Sequence, residues 1–331
     1  MCAGCCSGVE VAASADELAA LDDLPAKGGD WEVDGHVVAL SSLDRVYFSA
    51  GETSDGSQHP DTTKRDLIRY YSTVADHMVP YLRDRAINMH RFPTGIRSKG
   101  FWHKAAPPHT PDWIPQWDNA DADEDETRSY LVLDSTASLA FVANYGALEL
   151  HPWTSPTRDS HMPTWALIDI DPGTKATFED AVELAVLYRA ALDHLEVDGM
   201  PKVTGKRGIQ IWVPVAKGYS FDETRDWVEG ISRAIGSTVP ELVSWAWTKS
   251  DRGGKARLDY TQNAINKTLV APFSARPAPG APVSVPIAWA ELDDPDLTPD
   301  RWTVRTVLDR LAEVGDPLRP LIGLPQELPD L

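Results

Sequence analysis

The run Leu167-Ile168-Asp169-Ile170-Asp171-Pro172-Gly173 constrains the fold more than any other stretch of this 331-residue chain. Its apolar and β-branched residues ask for a strand, on which successive side chains point to opposite faces and the backbone rises about 3.3 Å per residue. Ile168 and Ile170 then enter a core on one face. Asp169 and Asp171 share the other face, about 6 to 7 Å apart at the backbone. Two carboxylates on one side of a buried strand repel each other and raise one pKa unless a cation lies between them. The segment offers no Cys and no nearby His, so an oxygen-rich site there favours Mg²⁺ or Mn²⁺ over zinc. The alternative is a strand end in water with two hydrated Asp, because Pro172-Gly173 stops the strand.

Around this strand the chain alternates strand-like and helical patterns. Residues 36–40, 165–170, 209–215, 257–260 and 269–273 read as strands. Lys64 to Leu82 carries Leu67, Tyr70, Tyr71 and Val74 at helical spacing. A second helix runs from Phe178 to about Leu195, capped by Thr177 with Asp180 at the third position. A third is expected after Thr298-Pro299, ending at Gly315, with Val304, Val307, Leu308, Leu311 and Val314 facing inward. The pattern predicts an α/β (α+β) protein. Residues 1–36 mix small, acidic and Gly residues around a short amphipathic stretch from Leu18 to Leu24, and are expected to be a loose leader. Residues 37–318 form the expected body, in parts 37–155, 156–290 and 291–318. The Pro-rich 319–331 reads as a tail or surface strap, 49–62 as a polar loop, and Asp118 to Glu126 as an acidic loop between two strand-like pieces.

Hydrophobic residues at 42%, with 12 Trp, exclude a disordered body. No apolar run of about 18 residues and no signal-peptide pattern are present, so a cytoplasmic protein is expected. The three cysteines, Cys2, Cys5 and Cys6, leave the body without a thiol and exclude a disulfide scaffold or a Cys nucleophile there. A net charge of −19 argues, taken alone, against nucleic acid as a partner. Its distribution reverses that argument. Segments 83–104, 202–207 and 249–276 hold fifteen bases against three acids in 56 residues, a net +12, leaving −31 on the other 275. Positive islands on an acidic body suit a local phosphate-binding groove; the alternative is three unrelated solvated faces.

The turn Thr204-Gly205-Lys206-Arg207-Gly208-Ile209-Gln210 puts two glycines around two bases ahead of an apolar strand. Its backbone N–H groups are candidates to cradle phosphate, with charge from Lys206 and Arg207, although such turns also simply join hairpins. It is not a P-loop, because no Ser or Thr follows Lys at the required place. In Arg252-Gly253-Gly254-Lys255-Ala256-Arg257-Leu258-Asp259-Tyr260-Thr261-Gln262-Asn263, Arg257 and Asp259 share a strand face. Asp259 either completes a three-carboxylate site or pairs with Arg257. His151 by itself reads as a core or interface histidine.

Together these strings resemble the polymerase domain of bacterial ligase D, within the archaeo-eukaryotic primase superfamily. The resemblance spans about residues 39 to 290. It rests, in order, on Thr63-Lys64-Arg65-Asp66-Leu67, Arg91-Phe92-Pro93 with Gly95, Phe101-Trp102 with Lys104, Glu149-Leu150-His151-Pro152-Trp153, the Asp-x-Asp run, the Gly-rich turn, and the block from Asp259 to Arg276. It implies a primase-polymerase fold, a central mixed or antiparallel sheet flanked by helices. It also implies that Asp169, Asp171 and Asp259 hold two ions, Mn²⁺ or Mg²⁺, for nucleotidyl transfer from a nucleoside triphosphate, with His151 beside the metals and the primer end. Thr204, Lys206, Arg207, Gln210, Arg252, Gln262 and Arg276 fall at nucleotide-contacting positions. Phe101 and Trp102 match a base-stacking pair, with Arg91 and Lys104 on the same DNA-binding stretch. Arg45 and Lys64 match the pocket for a DNA 5′-phosphate, with Ser42 where the family has Asn.

This chain departs from the family pattern at Gln210, where the Gly-rich motif normally ends in His, and in the six acids of 118–126. Its 49–62 loop is longer. Both Val-Asp-Gly sites, at Val33 and Val197, follow Glu instead of completing Lys-x-Asp-Gly, so no ligase adenylation motif is expected. The resemblance thus implies a stand-alone, nucleoid-associated repair polymerase that fills gaps or extends broken ends in non-homologous end joining. Its expected partners are gapped or broken DNA, a separate ligase and an end-binding repair factor, with no membrane. The alternatives are a DNA-end-binding protein weakened in catalysis by Gln210 and a metal-dependent phosphoesterase.

Overall fold

A computed structural model describes residues 12–123 and 126–331, so the three cysteines and two acids of the acidic loop lie outside the described residues. The loose leader expected up to residue 36 is instead folded from Ser14 onward. Ser14 and Glu17 form a reciprocal capping box that starts helix α1, Ala15–Asp23, and the carboxylate of Glu17 also accepts the N–H of Asp34. Leu21 is fully buried and Trp31 Nε1 donates to Glu17 O at 2.8 Å. Strand β1, Gly28–Val33, turns back into β2, His36–Ser41, through Asp34-Gly35, both at positive φ. Asp-Gly is a preferred pair for a two-residue hairpin turn, which is why order begins ahead of residue 36.

Strand β3, Val46–Phe48, leads into the 49–62 segment, which is a small hairpin of β4, Gly51–Glu52, and β5, Gln58–His59, closed by β6, Thr62–Thr63, on β3. The helical run after it divides at Val74 into α2, Lys64–Thr73, and α3, Ala75–Leu82. Tyr70 and Tyr71 lie in the core as the spacing predicts, their hydroxyls donating to Phe273 O and Leu148 O at 2.7 Å. The first large sheet centres on β7, Ile87–Arg91. It pairs with β8, Phe101–His103, with β10, Ser129–Leu131, and with β11, Ala147–Pro152; β9, Gln116–Asp118, extends it beyond β10. Between β10 and β11 lies the buried helix α4, Thr136–Asn144. The acidic loop joins β9 to β10, as its flanks predict.

The second large sheet carries the Asp-x-Asp run. It comprises β12, Trp165–Asp171, then, after helix α5, Phe178–His194, β13, Met200–Val203, and β14, Ile209–Pro214. After helix α6, Phe221–Thr238, follow β15, Arg257–Asp259, and β16, Val285–Pro286. The order β15-β12-β14-β13-β16 is antiparallel throughout. Ile168, Ile170, Ile209 and Ile211 are buried on the face away from Asp169, and Leu192 of α5 closes on Ile211. Residues 269–273 are not a strand: Phe273 sits at φ 64, which no strand accommodates. The last helix, α7, Val307–Val314, starts well after Pro299, and Val314 at its end is 59% exposed rather than inward. The C-terminal segment is a strap. Gln326 bonds Asp198 and Pro214, Trp227 Nε1 donates to Pro329 O, and Leu331 lies on Gly230 of α6.

Candidate active site

The strand register writes one row of side chains across four strands. Asp259 of β15 stands opposite Asp169 of β12, Asp169 opposite Gln210 of β14, and Gln210 opposite Lys202 of β13. Residues directly opposite in an antiparallel sheet share a face. Asp171, two residues on from Asp169, stands opposite Arg257. The sheet thus gathers all three expected carboxylates on one face. Gly173 tightens the arrangement: a Cβ there would fall 2.1 Å from Lys255 O, so only glycine lets the end of β12 meet the loop that carries Arg252.

The three carboxylates differ in their surroundings. Asp169 is pushed up to about 7 by burial and by the charges of Asp259 and Asp171, against a hydrogen bond donated by Gln210 Nε2 at 3.1 Å. Burial would also raise Asp259, but the hydroxyl and N–H of Thr261, Arg257 and Gln262 Nε2 hold it below the usual range. Asp171 pairs with Arg252 at 3.3 Å. Asp259 and Asp171 are therefore turned toward protein donors, and among the described residues no three His, Cys, Asp or Glu side chains converge as a ligand cluster. The chemistry of the set nevertheless suits a hard cation. A buried carboxylate at about 7 lacks a full counter-charge, and Gln210 Oε1 beside it is buried without a partner. Lys202 is fully buried at the end of the row, its ammonium donating to Ser284 Oγ, and burial drives its pKa well down. The sequence had given Lys202 only as a charge.

A second row lies on the first sheet: Glu149 of β11 opposite His90 of β7, and His90 opposite Trp102 of β8. His90 Nδ1 lies 2.5 Å from Glu149 Oε2, and the His90 and Trp102 rings stack at 4.7 Å. His151, two residues along β11 from Glu149, meets Trp102 edge-on at 4.8 Å; burial pushes its imidazole down to about 3, which keeps it neutral. Arg276 Nε lies 2.6 Å from Glu149 Oε1 and its Nη1 donates to Thr204 O at 2.9 Å. Lys206 Nζ lies 3.5 Å from the same Glu149 oxygen.

The Gly-rich turn is arranged differently from its expected phosphate cradle. The N–H groups of Lys206, Arg207 and Gly208 all donate to Thr204 Oγ1. Arg207 is turned to the carbonyls of Pro172 and Gly173, where it ties the turn to the end of β12. Lys206 and Arg276 are left as the cations on the Glu149 side.

The expected DNA-contacting residues form two groups. Lys64, 4% exposed, donates to Asn144 Oδ1 at 3.0 Å and lies over the Tyr47 ring; Arg45 Nη1 donates to Pro93 O at 2.8 Å, and Ser42 stands at φ 54. Asn144 also accepts from Ser41 N, so an amide that sequence reading missed enters from α4. Phe101 and Trp102 are 45% and 53% exposed. Arg91 is a strut beneath this pair, its guanidinium 3.3 Å from the Tyr145 ring and 5.3 Å from Phe101, with two bonds to Tyr145 O. Lys104 reaches Asn266 Oδ1 at 3.3 Å in the segment after β15.

Residues 63–318 match the family described as LigD, primase-polymerase domain. The chain belongs to this family. That membership places it among nucleotidyltransferases of the primase-polymerase type. It is 31% identical over 292 residues to the bifunctional non-homologous end joining protein LigD of Bacillus subtilis (strain 168), covering 88% of this chain and 45% of that protein. It is also 31% identical over 286 residues to the multifunctional LigD of Mycolicibacterium smegmatis, covering 86% of this chain and 36% of that one. The chain therefore spans less than half the length of these relatives. A solved polymerase domain of Mycobacterium tuberculosis ligase D, in complex with DNA, superposes with a TM-score of 0.76 at 28% identity, over 87% of this chain and 99% of that domain. The α/β fold expected from the sequence is the fold of that LigD domain. Among the described residues, no helix is long and apolar enough to cross a membrane.

Proposed function

We propose that the chain is a template-dependent polymerase that adds dNTPs or NTPs to a primer 3′-hydroxyl, filling gaps or extending broken ends during non-homologous end joining. The observation that carries this reading is the in-register row Asp259–Asp169–Gln210–Lys202, with Arg252 on Asp171, Arg276 within electrostatic reach of Asp169 and His151 within that of Lys202. Asp169, Asp171 and Asp259 are the residues to hold two divalent ions, Mn²⁺ or Mg²⁺. Such ions, when bound, lower the pKa of the attacking hydroxyl and neutralise the triphosphate and the departing pyrophosphate. Arg252, Gln262, Lys206 and Arg276 bind and orient the nucleotide, and Thr204 holds Arg276 through its carbonyl. Neutral His151 places the primer terminus against Trp102, while Phe101 and Trp102 stack bases, worth about 1 to 3 kcal/mol each. Arg45 and Lys64, with Asn144, receive the 5′-phosphate across the gap. A separate ligase seals the product, and an end-binding factor delivers the ends.

A second reading is favoured by one observation: Gln210 spends its amide on Asp169 and brings no charge to a triphosphate. On that reading the chain binds ends and catalyses weakly. Primer extension on a 5′-phosphorylated gapped duplex, with either metal and either sugar, separates the two. Incorporation by the wild type and none by the Asp169→Ala, Asp171→Ala double variant is the expected result. Tight binding with no incorporation would replace the polymerase by the end binder.

A further inference from the structure

Glu149 enters the sequence reading only through the motif around His151, yet among the described residues it is the carboxylate on which the most cationic side chains converge. Its side chain is 3% exposed and sits between His90, Arg276 and Lys206. Burial alone would raise its pKa; the hydrogen bond from His90 and the charges of Arg276 and Lys206 hold it well below the usual carboxylate range. A buried carboxylate of this kind persists only when its partners surround it.

The two oxygens face different ways. Oε2 is taken by His90, which is pinned in turn by its stack on Trp102, so the carboxylate is fixed from behind. Oε1 lies 2.6 Å from Arg276 Nε and 3.5 Å from Lys206 Nζ. A guanidinium has five donors in a rigid fork. Nη1 donates to Thr204 O, and Nε lies against Glu149 as an ion pair without hydrogen-bond alignment, so the guanidinium is held by one hydrogen bond and one charge contact, and its Nη2 side is left to meet a ligand. Lys206, 40% exposed at its side chain, is kept beside it.

We propose that Glu149 is a positioning residue that orients Arg276 for the triphosphate of the incoming nucleotide. This rests on the polymerase reading above. Glu149 touches neither nucleotide nor DNA; it acts through the guanidinium it holds, and preorganising that group removes an ordering cost from binding.

The test is calorimetric titration of the protein with UTP in the presence of Mn²⁺, for the wild type, Glu149→Gln, Arg276→Gln, their double variant, and Arg276→Lys. Glu149→Gln keeps the shape and removes the charge. It is expected to weaken UTP at least tenfold, while in the Arg276→Gln background it changes affinity less than twofold, because its effect runs through that side chain. Arg276→Lys keeps the charge but not the fork that meets Glu149 and Thr204 O together, and is expected to weaken UTP at least fivefold. That arm answers the question even if Glu149→Gln does not fold, as checked by its binding to 5′-phosphorylated gapped DNA. An equal loss on Glu149→Gln in both backgrounds, or wild-type affinity in Arg276→Lys, overturns the positioning role. A wild type that binds no UTP overturns the polymerase reading instead.

Discussion

If Lys64 and Arg45 receive a DNA 5′-phosphate as proposed, raising the pH from 7 to 9 is expected to strip most of the preference for a phosphorylated end. Lys64, on the first turn of α2, is pushed down to about 8 by burial and by the neighbouring Arg45. Among the described residues neither cation forms an ion pair with a carboxylate, so the pocket holds positive charge without an internal anion. A group with a pKa of about 8 is about nine-tenths charged at pH 7 and about one-tenth charged at pH 9. If the bound state requires the ammonium, the affinity for phosphorylated over unphosphorylated ends falls about tenfold, or about 1.4 kcal/mol. Tyr47, raised to about 12, stays neutral across the range, and so does the amide of Asn144. The assay is anisotropy with a gapped duplex bearing a 5′-phosphate or a 5′-hydroxyl, at fixed salt because phosphate contacts are salt-sensitive. Lys64→Arg should flatten the profile. A wild-type ratio that stays constant from pH 7 to 9 would refute the argument.

The same shift makes a stability statement. The folded pKa of Lys64 lies below its unfolded value of 10.5, so between about 8 and 10.5 the unfolded chain binds more protons and stability rises with pH. Below 8 the whole cost of about 3 kcal/mol is present. Lys64→Met should therefore gain about 2 kcal/mol of stability at pH 7 after losing the bond to Asn144, and lose the phosphate preference.

The other consequences are more local. Gln210→His puts an imidazole opposite Asp169 and is expected to lower the nucleotide concentration for half-maximal extension about tenfold, the worth of a charged contact; an unchanged value would mean that another group holds the triphosphate. Asp259→Ala should abolish incorporation while DNA affinity by anisotropy is kept or slightly raised, and retained activity would remove Asp259 from the catalytic set. Ser14→Ala breaks the capping box of α1 and should cost about 1 kcal/mol in a urea titration; no loss would mean that α1 is not part of the cooperative unit.

How much of this was legible in the chain depends on the range of the signal. The Asp-x-Asp strand, the Thr177 cap and the Leu67–Tyr71 stripe are local patterns, and each stands where its spacing predicts. The missed elements have causes of two kinds. The hairpin of β1 and β2 announced itself through Asp34-Gly35, but the acidic, Gly-rich composition around it was read as looseness. Helix α4 is buried over most of its surface and so lacks the polar face that marks a helix by period. The site residues divide in the same way. Asp169 and Asp171 are readable from one strand, whereas Lys202, Glu149 and Asn144 acquire meaning only from register and packing. Lys202 reaches the carboxylates through two strand pairings, and Asn144 meets Lys64 across 80 positions of sequence. Arg207 and Arg91 show the converse. The resemblance makes both ligand contacts, yet Arg207 donates to the carbonyls of Pro172 and Gly173, and Arg91 to Tyr145 O beside His103.

The charge map then separates the two anions this protein would meet. In the proposed nucleotide pocket Arg276 and Lys206 share Glu149, Arg252 has Asp171 and Arg257 has Asp259, while Lys202 and Arg207 bond a hydroxyl and backbone carbonyls. A triphosphate arriving there must share those partners, and divalent ions relieve the crowding of oxygens that follows. The proposed 5′-phosphate pocket has no such compensation among the described residues, since Lys64 and Arg45 face an amide, a phenol and a carbonyl. Around both, a body carrying −31 outside the positive segments repels the rest of the duplex. On the proposed function, affinity would thereby be concentrated on the one group that distinguishes a broken or gapped end from intact DNA, and the acidic body would serve that selectivity by disfavouring the rest of the duplex.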